Sequence, residues 1–192
     1  AEWNPLTGEW LVSNGSSLLS TPDGSSWAYF GDAQGSHGME VIDGQLFTAS
    51  GSTIRAYDAS TAEFLGSTNI PGATFLNGMG SRTGFIYVSD FSGGRIHTID
   101  ISDPANMAVS TLVASTPCTP NGVTWDETGN HLLFVCWGGS ADIHAGDVET
   151  GDVTTVVDNT GRGNLDGIDG DGNGAFYVSS WSPARITRYT ED

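Results

Sequence analysis

A polar side chain followed by glycine and an apolar residue, then a turn and a β-rich run, recurs four times in this chain, and that repeat governs what it can fold into. Pro120-Asn121-Gly122-Val123-Thr124-Trp125-Asp126-Glu127-Thr128-Gly129-Asn130 returns as Leu165-Asp166-Gly167-Ile168-Asp169-Gly170-Asp171-Gly172-Asn173-Gly174. The same frame fits Ser36-His37-Gly38-Met39-Glu40-Val41-Ile42-Asp43-Gly44 and Leu76-Asn77-Gly78-Met79-Gly80-Ser81-Arg82-Thr83-Gly84. His37, Asn77, Asn121 and Asp166 are therefore one position in successive copies of a unit, 40, 44 and 45 residues apart.

Each unit continues with a strongly apolar run: Glu9–Ser13, Gln45–Ala49, Phe85–Ser89, His131–Val135 and Ala175–Ser179. Such runs read as central strands. Alternating segments follow at Ser17–Leu19, Thr53–Asp58, Arg95–Asp100, Asp142–Asp147 and Arg185–Tyr189, then turn signals and a more polar fourth strand such as Asp152–Val157. Four antiparallel strands in about 40 to 45 residues, with no helical segment, make the blade of a β-propeller. The predicted fold is thus all-β, a single propeller domain over 1–192 with units at 1–34, 35–73, 74–117, 118–162 and 163–192. The last unit lacks its outer strand, which predicts part of a six-bladed ring; a true five-bladed ring is the alternative.

In a propeller the first strand of each blade lines the central channel, so repeat-equivalent residues form a ring about the axis. The spacing therefore predicts His37, Asn77, Asn121 and Asp166 at one mouth of one channel. Aligning Gly8 with Gly44 puts the first-blade member at Ala1 or just before it. Second strands return to the same mouth, so Asn14, Ser50, Asp90, Trp137 and Trp181 are expected around its entrance. Trp137 and Trp181 can wall an apolar substrate or simply pack between blades. Ser13, Ser89 and Ser179 read as repeat-consensus residues, since no nucleophile elbow or triad spacing accompanies them.

Charge narrows the partners. The formal charge is −17, from 23 acids against six basic residues, all of them arginine. Nucleic acid is not an expected partner, because phosphate binding needs a basic footprint. No apolar run approaches the ~20 residues of a membrane-spanning helix. The acids suit turns and a solvated rim; a sharper expectation is a surface adapted to a saline or calcium-containing setting. Location is left open, with an exported setting favoured, and so is oligomeric state.

Cys118 and Cys136 are too few for a disulfide framework. If 119–126 and 131–137 pair across their turn, Cys136 faces Asn121 or Gly122. Cys118 then sits roughly 10 Å away at strand rise, too far for a bridge without a bulge. Two unpaired thiols are the expectation, with a Cys118–Cys136 bridge, made possible by a bulge, as the alternative.

Two segments carry a family resemblance. Pro120-Asn121-Gly122-Val123 with the strand His131–Val135, and Leu165-Asp166-Gly167-Ile168 with Gly172-Asn173-Gly174-Ala175-Phe176-Tyr177-Val178-Ser179-Ser180-Trp181, resemble signatures of a six-bladed, calcium-dependent superfamily. Its members include senescence marker protein, gluconolactonase, luciferin-regenerating enzyme and paraoxonase. The resemblance implies an axial metal held by Asn77, Asn121 and Asp166. The family's first-blade glutamate has no counterpart in frame, Glu2 being near but offset. Ser36-His37-Gly38-Met39 resembles the "PHG" segment of paraoxonases, which implies a part for His37 in a lactonase site.

The chemistry of the ring is consistent with that implication. Calcium takes six to eight hard oxygen ligands, and carboxamide and carboxylate oxygens are suitable. A cation there polarises a lactone or ester carbonyl, and Asp166 or His37 can activate water. The plainer alternative is that each polar residue bonds to backbone in a tight turn. The sequence thus points to a calcium-dependent hydrolase of small lactones or esters, with an exported ligand- or protein-binding propeller, or a lyase using the same channel, as alternatives. The run Asp169–Gly174 resembles the start of an EF-hand loop but has Ser180 where the bidentate Glu belongs, and reads as a turn. His97 and His144 share a repeat position with Arg55 and Thr187, which marks a strand-face position, and His131 carries no role.

Overall fold

The computed structural model describes residues 1–32 and 37–190; Ser36 of the second frame and the terminal Glu191 and Asp192 lie outside the described residues. The described residues form five antiparallel sheets, each a meander in chain order. Blade 1 contains β1 (Glu2–Asn4), β2 (Glu9–Asn14), β3 (Ser17–Thr21) and β4 (Ala28–Gly31). Blade 2 contains β5 (Met39–Ile42), β6 (Gln45–Ser50), β7 (Thr53–Asp58) and β8 (Phe64–Asn69). Blade 3 contains β9 (Leu76–Arg82), β10 (Phe85–Asp90), β11 (Arg95–Asp100) and β12 (Ala108–Val113). Blade 4 contains β13 (Thr119–Asp126), β14 (His131–Trp137), β15 (Ile143–Gly146) and β16 (Val153–Val157). Blade 5 contains three strands, β17 (Gly163–Gly170), β18 (Ala175–Ser182) and β19 (Ala184–Thr190). The fold is a β-propeller, and among the described residues no helix is long and apolar enough to cross a membrane.

The second strands are apolar on both faces because each is covered on both sides. Leu46, Ile86, Leu132 and Phe176 occupy one repeat position and pack against the preceding blade. The adjacent residues Phe47, Tyr87 and Leu133 pack against the following one. Each such side chain contributes about 1.5–3 kcal/mol on burial, so the blade boundaries are where the stability resides.

One boundary departs from this pattern. Leu18, Ile54, Ile96 and Ile143 are repeat equivalents and fully buried, whereas their counterpart Ile186 is 72% exposed. Tyr177, at the position of Phe47, Tyr87 and Leu133, is 43% exposed, and Trp10, at the position of Leu46, is 46% exposed. The forward face of blade 5 and the rear face of blade 1 therefore do not bury each other.

Two local expectations are corrected. Cys118 and Cys136 are disulfide-bonded, with Cα atoms 5.7 Å apart. The reason is a β-bulge: Cys136 pairs with Pro120 rather than Asn121 or Gly122, which brings Cys118 within bridging distance. In blade 1, Glu2 pairs with Leu11 as Glu40 pairs with Phe47. Glu2 thus stands at the level of Glu40 and Ala1 at that of Met39, so of the two expected places for the first-blade member Ala1 is excluded and the one just before it fits the register.

Candidate axial site

The polar-glycine step is a bulge motif in blades 3, 4 and 5. Asn77-Gly78 opposes Ser89, Asn121-Gly122 opposes Val135, and Asp166-Gly167 opposes Ser179, two residues against one in each case. Such a bulge twists the strand locally and re-aims a side chain. Glycine is required because the inner strands meet backbone to backbone. A Cβ on Gly78 would strike the Asn121 carbonyl, and one on Gly122 the Asp166 carbonyl. The recurrent serine satisfies the bulge: Gly78 N–H donates to Ser89 Oγ at 2.9 Å, and Gly167 N–H to Ser179 Oγ at 2.8 Å. Ser89 also donates to the Asn121 carbonyl at 2.6 Å, tying blade 3 to blade 4.

The re-aimed side chains meet. Asn77 Nδ2 donates to Asn121 Oδ1 at 2.6 Å, and Asn121 Nδ2 donates to Asp166 Oδ1 at 3.0 Å and to the Leu165 carbonyl at 2.9 Å. The other carboxylate oxygen, Asp166 Oδ2, accepts from Trp181 Nε1 at 3.0 Å. His37 lines the same cavity of about 580 Å³, its ring edge-on to Phe75 at 4.5 Å. Burial holds its imidazole pKa below the usual 6.5, so it is neutral at pH 7 and able to accept a proton.

Deeper in the cavity stands a second level that the sequence reading did not identify. Glu2, Glu40 and Asp169 are repeat equivalents by register. Ser81 Oγ donates to Glu40 Oε2 at 2.7 Å, and Val41 N–H to Glu2 Oε1 at 3.4 Å. Burial, reinforced by the neighbouring carboxylates, raises Glu2 to about 7 and Glu40 well above the ordinary carboxylate range; burial also raises Asp169. The signal was available three residues after His37 and Asp166, at Glu40 and Asp169.

Around the mouth runs an arc of aromatic rings. From His37 and Phe75 it continues to Phe91 at 5.6 Å, Trp137 at 6.0 Å and Trp181 at 5.9 Å, every contact edge to face. Phe91, Trp137 and Trp181 are one repeat position, immediately after the second-strand residues Asp90, Cys136 and Ser180. Phe91 was missed because the strand end in blade 3 was aligned one residue early, at Asp90, and Phe75 because it lies in the loop before β9. Asp90 is fully buried, and its Oδ1 accepts from the Thr74, Phe75 and Gly93 N–H groups, so it clamps the loop that carries Phe75. Asn14 is exposed in the first blade, where its carbonyl accepts from Ser17 Oγ at 3.4 Å. None of the four expected pocket residues Asn14, Asp90, Trp137 and Trp181 lines the axial cavity itself; Trp181 adjoins it through its bond to Asp166.

The donor set matches the chemistry of calcium. Two carboxamides and a carboxylate from three adjacent blades converge, and hard oxygens of this kind suit Ca²⁺. Three side chains are fewer than the six to eight oxygens calcium takes, so water and backbone carbonyls complete any such shell. Asn121 Oδ1 is engaged by Asn77 in the hydrogen-bonded arrangement, so a cation would replace that bond.

No protein-family model matches the chain, and no curated protein matches it. Solved structures do. A chain of a nidogen/laminin complex aligns with TM-score 0.79 at 14% identity, covering 95% of this chain and 74% of that one. Virginiamycin B lyase from Staphylococcus aureus, a catalytically inactive form with quinupristin, aligns with TM-score 0.70 at 14% identity, over 93% of this chain and 61% of that one. Luciferin-regenerating enzyme aligns with TM-score 0.67 at 18% identity, over 90% of this chain and 66% of that one. The chain thus spans less than two thirds of the length of both enzymes. At these identities the likeness establishes the fold, a β-propeller whose structural neighbours include enzymes.

Proposed function

We propose that the chain carries the metal-assisted hydrolytic site of a lactone- or ester-cleaving propeller, with calcium as the suited ion. The observation that carries this is the junction of Asn77, Asn121 and Asp166, three hard-oxygen side chains from three blades, at the mouth of a cavity. The ion would supply Lewis-acid polarisation of the scissile carbonyl and stabilise its developing oxyanion. Asn77 and Asn121 orient that centre through their amides, and Asp166 provides its negative charge. Neutral His37 takes a proton from the attacking water as its oxygen bonds to the acyl carbon and returns it to the alkoxide released from that carbon, giving acid and alcohol from an ester or a single hydroxy acid from a lactone. The sequence resemblance to the gluconolactonase and paraoxonase superfamily supports the same reading.

The axial hydrogen bonds also satisfy one another without an ion, which favours a second reading, a non-catalytic ligand-binding module. A panel of lactones and aryl esters, assayed with added calcium, separates the two. Turnover that is lost in Asn121→Ala and Asp166→Ala supports hydrolysis. Folded wild-type protein inactive on the whole panel leaves the binding module.

A further inference from the structure

We propose that the axial mouth selects an organic cation, an apolar-substituted ammonium group held between the aromatic arc and the Asp166 carboxylate. This names a ligand class for the second, ligand-binding reading, in which the Asp166 carboxylate holds no metal ion, and rests on that reading.

Five π-systems, His37, Phe75, Phe91, Trp137 and Trp181, follow one another round the entrance at centroid spacings of 4.5–6.0 Å. Their interplanar angles run from 63° to 90°. Each edge-to-face contact covers a face of only one of its two rings, and among the described residues the last ring of the arc, Trp181, has a ring neighbour on one side only. Trp181 is the most open of the five, 65% exposed, yet its indole N–H is fixed on Asp166 Oδ2. A negative ring face and a carboxylate therefore share one corner, and Trp137 stands at 69° to that indole. An ammonium carrying methyl or alkyl groups meets both of its requirements there, charge from the carboxylate and dispersion with quadrupole attraction from the rings.

Electrostatics separate this ligand from its rivals. Among the described residues the cavity is lined by the carboxyl groups of Glu127 and Asp166 and by the buried Glu2, Glu40 and Asp169, with no arginine to offset them. Even where burial keeps the deeper acids protonated, no positively charged side chain faces the mouth. A ligand carboxylate or phosphate would meet this unbalanced field, and the chain as a whole adds a formal charge of −17. A neutral apolar ligand would use the rings but gain nothing from Asp166.

Calorimetric titration with choline, and with its uncharged isostere carrying tert-butyl in place of trimethylammonium, tests the proposal. Both titrations are run with chelator and without any hydrolysable substrate, so the result is independent of metal binding and turnover. Choline is expected to bind at least about tenfold more tightly than the isostere. Trp181→Leu, which keeps an apolar side chain but removes the ring, should weaken choline about 2- to 30-fold, and Trp181→Phe should recover most of that loss. Asp166→Asn should bring choline and isostere closer together. Equal affinity for the two ligands, choline binding indifferent to Trp181→Leu, or no choline binding to folded protein each overturns the proposal. None of these results bears on hydrolysis, which the lactone and ester panel measures separately.

Discussion

Asn121 and Asp166 lie 45 residues apart in sequence, yet an Nδ2–H···Oδ1 hydrogen bond of 3.0 Å joins them across the boundary between blades 4 and 5. Asn121 also accepts from Asn77 and donates to the Leu165 carbonyl, so it is the hinge of the axial network. Asn121→Ala is expected to strand buried partners on both sides and lower stability by about 1–3 kcal/mol. Urea unfolding of the variant measures this, and a loss below a few tenths of a kcal/mol would mean that the network is not a structural unit.

Ile143 and Ile186 occupy the same position in adjacent blades but differ in cover. Ile143→Ala, in a boundary closed by blade 5, should cost about 2–5 kcal/mol through lost transfer energy and a cavity. Ile186→Ala should cost less than about 0.5 kcal/mol, as expected for a surface substitution. Comparable losses at the two sites would show that the forward face of blade 5 is buried in solution.

The carboxylates deep in the cavity predict an unusual pH dependence. Glu2 ionises at about 7 in the fold against an ordinary 4.5, so its protonated form stabilises the protein fully below pH 4.5. That contribution is lost as pH rises through 7, and is worth up to about 3 kcal/mol. Half-buried His37 and buried His97 and His144, with lowered pKa values, act in the opposite sense below 6.5, so the difference between wild type and Glu2→Gln isolates the glutamate. Thermal midpoints from pH 4 to 8 should show wild type losing stability relative to Glu2→Gln as pH rises. A constant gap between the two would remove Glu2 from the account.

The Cys118–Cys136 bridge closes a loop of 18 residues beside the β13 bulge. Loop-closure entropy predicts a loss of about 3 kcal/mol on its removal. Reductant, or the Cys118→Ser/Cys136→Ser double variant, should lower the thermal midpoint by several degrees, measured by circular dichroism. An unchanged midpoint would indicate that the strand pairing alone fixes this segment.

The blades were legible in the sequence because apolar second strands and polar-glycine steps recur at nearly constant spacing. Asn77, Asn121 and Asp166 were legible for the same reason: equivalent positions in a propeller converge on its axis. What escaped was a matter of single residues. A bulge changes register by one, and this decided the Cys118–Cys136 pairing, while Phe91 aligns with Trp137 once the second strands are matched residue for residue. A longer first turn moved Glu2 to the level of Glu40. Asp90 escaped because its hydrogen bonds reach a loop more than a dozen residues earlier in sequence.

The central claim is that Asn77, Asn121 and Asp166 form an ion site, and calcium titration followed by thermal unfolding tests it most directly. Saturating calcium, at about 100 times its dissociation constant, should stabilise the wild type by about 2.7 kcal/mol, with no such gain in Asp166→Asn or Asn121→Ala. A midpoint that calcium leaves unmoved, or moves equally in wild type and both variants, would contradict the account.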